Sequence, residues 1–379
     1  MKKRPLLIVC LLATFGCSVA AMAEPKHPNI ILFIGDGMGQ AQADAASLYR
    51  FGLRGQLHFE HLPIQGTVAT DSASAGVTDS AAAGTAFATG QKVRNGVISR
   101  AIPGDGEPLP TLFELARERG YHTGLVSTAH ITHATPAAFV AHQKSRNAYE
   151  AIGRDMLAFQ PMVMLGGGGR GITPDQASEA GYPAVVTTRR ELEAAVHQDE
   201  GENARPLIGL FAEGHLPFVY EDLQAEAPAY DRLPHLTEMT LAAMAVLAEH
   251  QPYILMVEGA RIDHAGHGPG AYPMTQEDRI RLNIYETLAL DDAATLATRH
   301  ACENTLIVVT SDHETGGLEV VESRGKWRFP KVTWSTGGHT DVNVPLAATG
   351  PQAERFRGDL DNTDVFRRML EVIELAESE

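Results

Sequence analysis

Three short apolar runs each end in residues that can bind a metal ion. The run 29–34 leads through Gly35 into Asp36-Gly-Met-Gly39, the run 253–257 into Glu258, Asp263, His264 and His267, and the run 305–310 into Ser311, Asp312 and His313. Imidazoles mixed with carboxylates suit zinc, whereas sets made only of oxygen suit magnesium. Each cluster alone has an ordinary explanation, because an Asp after a strand often caps the next helix and a His is common at a surface. Their recurrence is what argues for a site. Short apolar runs bounded by glycine or polar residues read as buried parallel strands, and open α/β sheets bind ligands beyond the carboxyl ends of such strands. The three runs would thus carry their carboxylates and imidazoles to one edge of one sheet. The expected fold is α/β, a three-layer, doubly wound and mostly parallel central sheet with helices on both faces.

A nucleophile is available between the first two runs. The tetrad Thr-Asp-Ser-Ala occurs twice, at 70–73 and 78–81, so the tetrad alone does not choose between Ser72 and Ser80. Ser80 opens an alanine-rich run, which puts its hydroxyl at a helix N-terminus where free N–H groups and the dipole favour an anion. Ser72 is followed by Ser74 and Gly76 and reads as loop. The competing role for Ser80 is that of a simple N-cap.

Asp36-Gly-Met-Gly39, Val77-Thr-Asp-Ser80-Ala-Ala, Val126-Ser-Thr-Ala129 with Ala134-Thr-Pro136, Val257-Glu-Gly259, Ile262-Asp-His-Ala-Gly-His267, Thr310-Ser-Asp-His313 and Gly338-His-Thr340 resemble the alkaline phosphatases, in the family's order. The resemblance runs over about residues 28–348, and includes Leu165-Gly-Gly-Gly168 and the segment 209–216. It implies that Ser80 is the phosphorylated nucleophile and Arg146 the phosphate clamp. It implies further that Asp263, His267 and His339 hold one zinc ion, that Asp36, Asp312 and His313 hold a second, and that Asp36, Thr135 and Glu258 hold magnesium. Positions often filled by Asp and Lys in the best-known bacterial members are His133 and His264 here, a pairing also found in animal enzymes. Both are expected beside the magnesium and the phosphate, in contact with substrate.

The residue chemistry agrees with those implied roles. A serine hydroxyl is a weak nucleophile until its alkoxide is stabilised. Two metal ions about 4 Å apart can stabilise the attacking and leaving oxygens of an in-line displacement. Arg146 offers a planar fork for two phosphate oxygens that Lys144 could not reproduce. A straight helix opened by Thr135-Pro136 would put Arg146 roughly 16 Å from Thr135. The helix is therefore expected to stop or bend around 143–145, with His142 inside it. His142 and His122 read as structural, and His215 has no assigned role.

The first 23 residues have the charged, apolar and small-residue parts of a secretory signal peptide, followed by one catalytic domain over 24–379. Export to the periplasm or beyond is the resulting expectation, with no membrane anchor. Of 31 basic residues, 3 leave with the leader, so 28 face 47 acidic ones and the net charge moves from −16 to −19. A chain this acidic is a poor partner for nucleic acid. Cys10 and Cys17 would leave too, which isolates Cys302, read as a small buried residue.

Hydrophobic periodicity predicts strands at 29–34, 122–127, 162–165, 253–257, 305–310 and 344–348 and helices at 111–119, 189–196, 237–250 and 275–300. The four glycines at 166–169 read as a tight turn after a strand, since no Lys-Ser/Thr follows. The polar stretch 198–205 reads as a solvated loop.

The sequence thus points to an exported phosphomonoesterase acting on small phosphate monoesters through a phosphoserine, with two zinc ions and one magnesium ion. The resemblance also implies a homodimer, although the chain is short for the family. Rival readings are a phosphodiesterase or sulfatase on the same scaffold, or a periplasmic metal-binding protein without catalysis. The Cys/Ser-x-Pro-x-Arg pattern of sulfatases is missing around Ser80, and metal sequestration needs neither Ser80 nor Arg146.

Overall fold

Strand β1 (Asn29–Ile34) shows how the sequence divides the molecule into layers. Every residue of it is buried, yet alternate side chains enter different cores. Ile30, Leu32 and Ile34 pack into one cluster with Phe87, Phe113 and Phe366. Ile31 and Phe33 pack into a second with Tyr49, Leu247 and Leu290. A strand buried on both faces needs a continuous apolar run, and helices must cover both sides. The computed structural model describes residues 27–74, 76–198 and 205–375. The leader reading, with Cys10 and Cys17, lies outside these residues, as does most of the polar stretch 198–205.

Nine further strands join β1 in one sheet: β2 (Ile64–Ala69), β3 (His122–His130), β4 (Val163–Gly168), β5 (Ala184–Val186), β6 (Leu207–Glu213), β7 (Tyr253–Glu258), β8 (Thr305–Thr310), and, beyond two hairpins, β13 (Val344–Thr349) and β14 (Gly358–Asp361). The hairpins pair β9 (Glu314–Thr315) with β12 (His339–Thr340) and β10 (Leu318–Glu322) with β11 (Lys331–Trp334). The sheet order is β14-β2-β13-β8-β1-β7-β3-β4-β6-β5, parallel throughout except for β13. The chain leaves β1 with β8 on one side and β7 on the other, so the three acid-bearing loops emerge side by side. This is the expected α/β architecture, and the predicted strands all form.

The four predicted helices form as Leu112–Glu118, Arg189–Gln198, Leu236–Ala248 and Gln276–His300. Thr111 and Glu114 make the predicted capping box. Several expectations need correction. The helix at Thr135 spans only Ala134–Ala138 and is preceded by His133, so it ends well before 143. Gln143 then exchanges two backbone hydrogen bonds with Ile98, which holds that segment extended. His142 therefore lies outside the helix, bonded to the Ser99 carbonyl at 2.8 Å and to Glu114 at 3.0 Å. The glycine run is not simply a turn, because β4 continues to Gly168 before Gly169 turns with φ of 78°. Cys302 is half-buried rather than buried, because it stands between the end of a helix and β8.

Candidate active site and metal centre

Loop geometry brings the acidic residues together. Gly37 has φ of 80°, and a Cβ there would lie 2.6 Å from the Asp263 Cα, so only glycine lets the β1 loop approach the helix Arg261–His267 after β7 this closely. The Gly37 N–H donates to Asp312 Oδ1 at 3.1 Å and ties the β1 loop to β8. On β3, Ser127 is registered beside Glu258 of β7, and its hydroxyl donates to Glu258 Oε2.

Three overlapping sets of ligand atoms result: Asp263, His267 and His339; Asp36, Asp263 and His313; and Asp36, His133 and Glu258, each set within 4.8 Å. Asp312 Oδ2 is 3.3 Å and Asp36 Oδ1 3.5 Å from His313 Nε2. Both oxygens of Asp36, Asp312 Oδ2, Glu258 Oε1 and Thr135 Oγ1 are buried without a hydrogen-bond partner. Several orphaned acceptors converging on one spot are costly unless a cation satisfies them. The histidine tautomers fit as well. His267 Nδ1 donates to the Gly337 carbonyl at 2.7 Å and His339 Nδ1 to the Thr78 carbonyl at 2.8 Å. Both Nε2 atoms, 3.2 Å apart, then face each other and Asp263, and with the imidazoles neutral their lone pairs would be free for one ion.

Electrostatics point the same way. Burial, then the charges of Asp312, Asp263 and Glu258, pushes the Asp36 carboxyl well above the usual carboxylate range. Burial and Asp263 push Asp312 up to about 7. Burial opposes the charge on Asp263, but hydrogen bonds from His267 and His339 hold its carboxyl well below the ordinary value. Burial likewise opposes charge on His339, yet its bond to Asp263 raises it to about 9. The protein's own cations thus do not suffice to keep all of these buried carboxyls ionised.

Ser80 borders this centre. It is the first residue of the helix Ser80–Thr89, whose N-cap is Asp79, not Ser80. Ser80 is buried, and its Oγ lies 3.3 Å from His313 Nε2. Asp79 accepts from the Ala82 N–H at 3.0 Å and from Arg146 Nη1 at 3.1 Å, so one carboxylate both caps the helix and aims the guanidinium. Arg146 Nη2 donates to His133 Nε2 at 3.1 Å. That bond leaves the His133 proton on Nδ1, facing Glu258 at 3.9 Å, so His133 offers the acidic centre a donor rather than a lone pair.

Three comparisons with known proteins complete the picture. Residues 27–183 and 165–329 match the alkaline phosphatase family.

The chain belongs to the alkaline phosphatase family.

It is 36% identical to streptomycin-6-phosphate phosphatase of Streptomyces griseus over 95% of this chain and 94% of that protein. It is 32% identical to the alkaline phosphatase of Escherichia coli over 92% and 86% of the two chains. Among solved structures, the cold-active alkaline phosphatase of a psychrophilic Shewanella superposes with a TM-score of 0.76 at 29% identity, covering 91% of this chain and 99% of that one. The Thermus thermophilus alkaline phosphatase superposes with a TM-score of 0.77 at 28% identity, with 92% of each chain covered.

Asp36, Glu258, Asp263, His267, His313 and His339 fall into the overlapping ligand sets, with Asp312 and Ser80 both beside His313 and Arg146 bonded to His133, while Thr135 lies two residues after His133 with its hydroxyl buried and unpaired. A cavity of about 390 Å³ opens beside them and is lined by His133, Arg146 and His267 among others. His264 does not line the cavity. It is buried against the His215 and Tyr272 rings, and its Nδ1 accepts from Arg261 at 2.7 Å. Sequence reasoning assigned no role to Ser127, Asp79 or Thr315. Thr315 Oγ donates to Asp263 at 2.5 Å and so orients a ligand carboxylate. The signal for Asp79 was in view, since it directly precedes Ser80.

Proposed function

We propose that residues 24–379 form one exported catalytic domain that hydrolyses phosphate monoesters to inorganic phosphate and an alcohol. The observation that carries this reading is the Ser80 hydroxyl at the start of a buried helix, 3.3 Å from His313 and beside the guanidinium of Arg146. The named substrate of the Streptomyces relative is itself a phosphate ester, which supports the class. Export rests on the leader-like first residues. No helix among the described residues is long and apolar enough to cross a membrane.

The donor sets suit two zinc ions, one held by Asp263, His267 and His339 and one by Asp36, Asp312 and His313, with magnesium held by Asp36, Thr135 and Glu258. Bound there, the ions would lower the pKa of an attacking hydroxyl or water and neutralise charge on the leaving oxygen. Ser80 Oγ forms its bond to phosphorus as the bond to the leaving alcohol breaks, and water later cleaves the phosphoserine. With the Ala82 N–H taken by Asp79, the Ser80 and Ala81 N–H groups at the start of its helix are left to face the developing negative charge. Arg146, aimed by Asp79, binds two phosphate oxygens through its fork. His133 supports the Arg146 guanidinium through Nε2.

Initial rates on matched phosphate monoester, phosphate diester and sulfate substrates, before and after chelation and with zinc and magnesium returned, test this reading. Monoester turnover should dominate and depend on the metals. A diester or sulfate rate equal to the monoester rate would favour the rival hydrolases, and no turnover at all the sequestration reading. Arg146→Ala is expected to lower kcat/KM on the monoester by roughly 100-fold, the loss of two charge-assisted hydrogen bonds. Steady-state kinetics checks this, and a change under threefold would remove Arg146 from the site.

A further inference from the structure

The cavity beside Ser80 is built from cations, imidazoles and aromatic rings. Arg146 and Arg170 line it together with His130, His215, Tyr149 and Tyr272, and no Asp or Glu does. Arg146 is paired with Asp79, which leaves Arg170 as the guanidinium open to a ligand, in a chain whose net charge is −16. Anions are therefore drawn to this mouth by local charge and not by the protein as a whole.

The glycine run at the end of β4 builds the far wall. A Cβ on Gly167 would lie 1.6 Å from the Gly214 carbonyl, and the Gly214 N–H donates to Gly168 at 2.9 Å, so the glycines let the 214–216 loop close on β4 and deliver His215. A Cβ on Gly171 would lie 2.0 Å from the Tyr149 carbonyl. That contact presses the Gly169-Arg170-Gly171 turn against the start of the helix Tyr149–Phe159. Thr132 Oγ donates to the Arg170 carbonyl at 2.5 Å and fixes the turn. The exposed guanidinium then hangs 5.4 Å from the Tyr149 ring centre, and it forms no ion pair among the described residues. The His130 N–H donates to His215 Nδ1 at 3.4 Å, which puts the His215 proton on Nε2 and makes that atom a donor.

We propose that Arg170, with His215, forms a subsite for a second anionic group on the leaving alcohol, so that the preferred substrates are monoesters such as sugar bisphosphates. The proposal rests on the phosphatase reading, with the reacting phosphate at Ser80 and Arg146 and the remote anion at Arg170. A cationic leaving group would meet two guanidiniums and no carboxylate, and is disfavoured.

Fructose 1,6-bisphosphate, fructose 6-phosphate and phosphocholine provide anionic, neutral and cationic leaving groups. The metal-loaded protein is expected to prefer them in that order by kcat/KM, after halving the first value for its two phosphates. Arg170→Ala should reduce the preference for the bisphosphate over fructose 6-phosphate by roughly tenfold, the size of one charge-assisted hydrogen bond open to water. Arg170→Lys, which keeps the cation, should retain part of that preference. Added salt should erode it in the parent protein. Hydrolysis of all three esters with ratios unchanged by Arg170→Ala overturns the subsite and leaves the phosphatase reading intact. Hydrolysis of none overturns both.

Discussion

Replacing Ser80 by alanine is expected to lower kcat/KM on a phosphate monoester by roughly 10⁴- to 10⁶-fold, the scale seen when a nucleophile is removed from a working constellation. The fold should not change. Ser80 is the first helical residue and Asp79, not Ser80, caps the helix, so alanine removes a hydroxyl without uncapping anything. Residual turnover would come from Arg146 and the charge of the metal centre. Acid quenching with labelled substrate and mapping of the labelled peptide checks the same assignment covalently. Label is expected at Ser80. The Ser72 hydroxyl donates to Asn95 at 2.7 Å in an exposed loop, remote from every residue of the centre in its contacts. Label at Ser72, or a Ser80→Ala protein with parental turnover, would overturn the mechanism.

The central strands were legible because burial on both faces favours apolar side chains: β1, β7 and β8 carry the apolar runs 30–34, 253–257 and 306–309, with polar residues only at their ends. Strands nearer the ends of the sheet were not. β2 reads Ile-Gln-Gly-Thr-Val-Ala, and its Gly66 is there because a Cβ would lie 2.2 Å from the Gly358 carbonyl of β14. A glycine set by a neighbour 292 residues away looks like a turn in the sequence. The helix Gln40–Phe51 was missed for a similar reason. Its N-cap is Gly39, which has no side chain to signal a start, and the cap is completed by Gln42.

Ligand residues were legible as types at strand ends, where carboxylates and imidazoles are conspicuous. Residues that orient them were not, because Ser127 and Thr315 look like any strand or loop hydroxyl until register puts Ser127 beside Glu258 and the hairpin brings the Thr315 hydroxyl to Asp263. The short helix Ala134–Ala138 shows the same limit. The requirement that Arg146 lie near Thr135 correctly demanded a break, but its place is set by pairing between Gln143 and Ile98, which local sequence does not reveal. His264 was singled out by its place in a motif, and only packing shows that it sits against His215 and Tyr272 rather than in the cavity lining.

Protein stripped of metal by chelation is expected to melt at progressively lower temperature from pH 7 to pH 9, and the gap to the metal-loaded protein is expected to widen over the same range. Asp36 and Asp312 carry raised pKa values in the folded state, the first well above 3.8 and the second about 7. The folded chain therefore holds protons that the unfolded chain has already released, and stability falls as pH rises through those values. His339, raised from 6.5 to about 9, acts in the same direction: its contribution is complete below about 6.5 and is lost as pH rises through about 9. Metal binding needs these same carboxylates ionised and these imidazoles neutral, so affinity increases as the metal-free protein weakens. A ligand at about 100 times its Kd adds roughly 2.7 kcal/mol, enough to separate the two melting curves by several degrees. Thermal melts at pH 7, 8 and 9, with chelator or with added zinc and magnesium, read this without any activity measurement. Asp36→Asn removes one charge from the crowded centre, so the chelated variant should melt above the chelated parent at pH 9 and respond less to zinc. A chelated protein whose melting temperature rises from pH 7 to pH 9, or a gap that narrows, would show that these carboxylates and imidazoles do not form the metal centre.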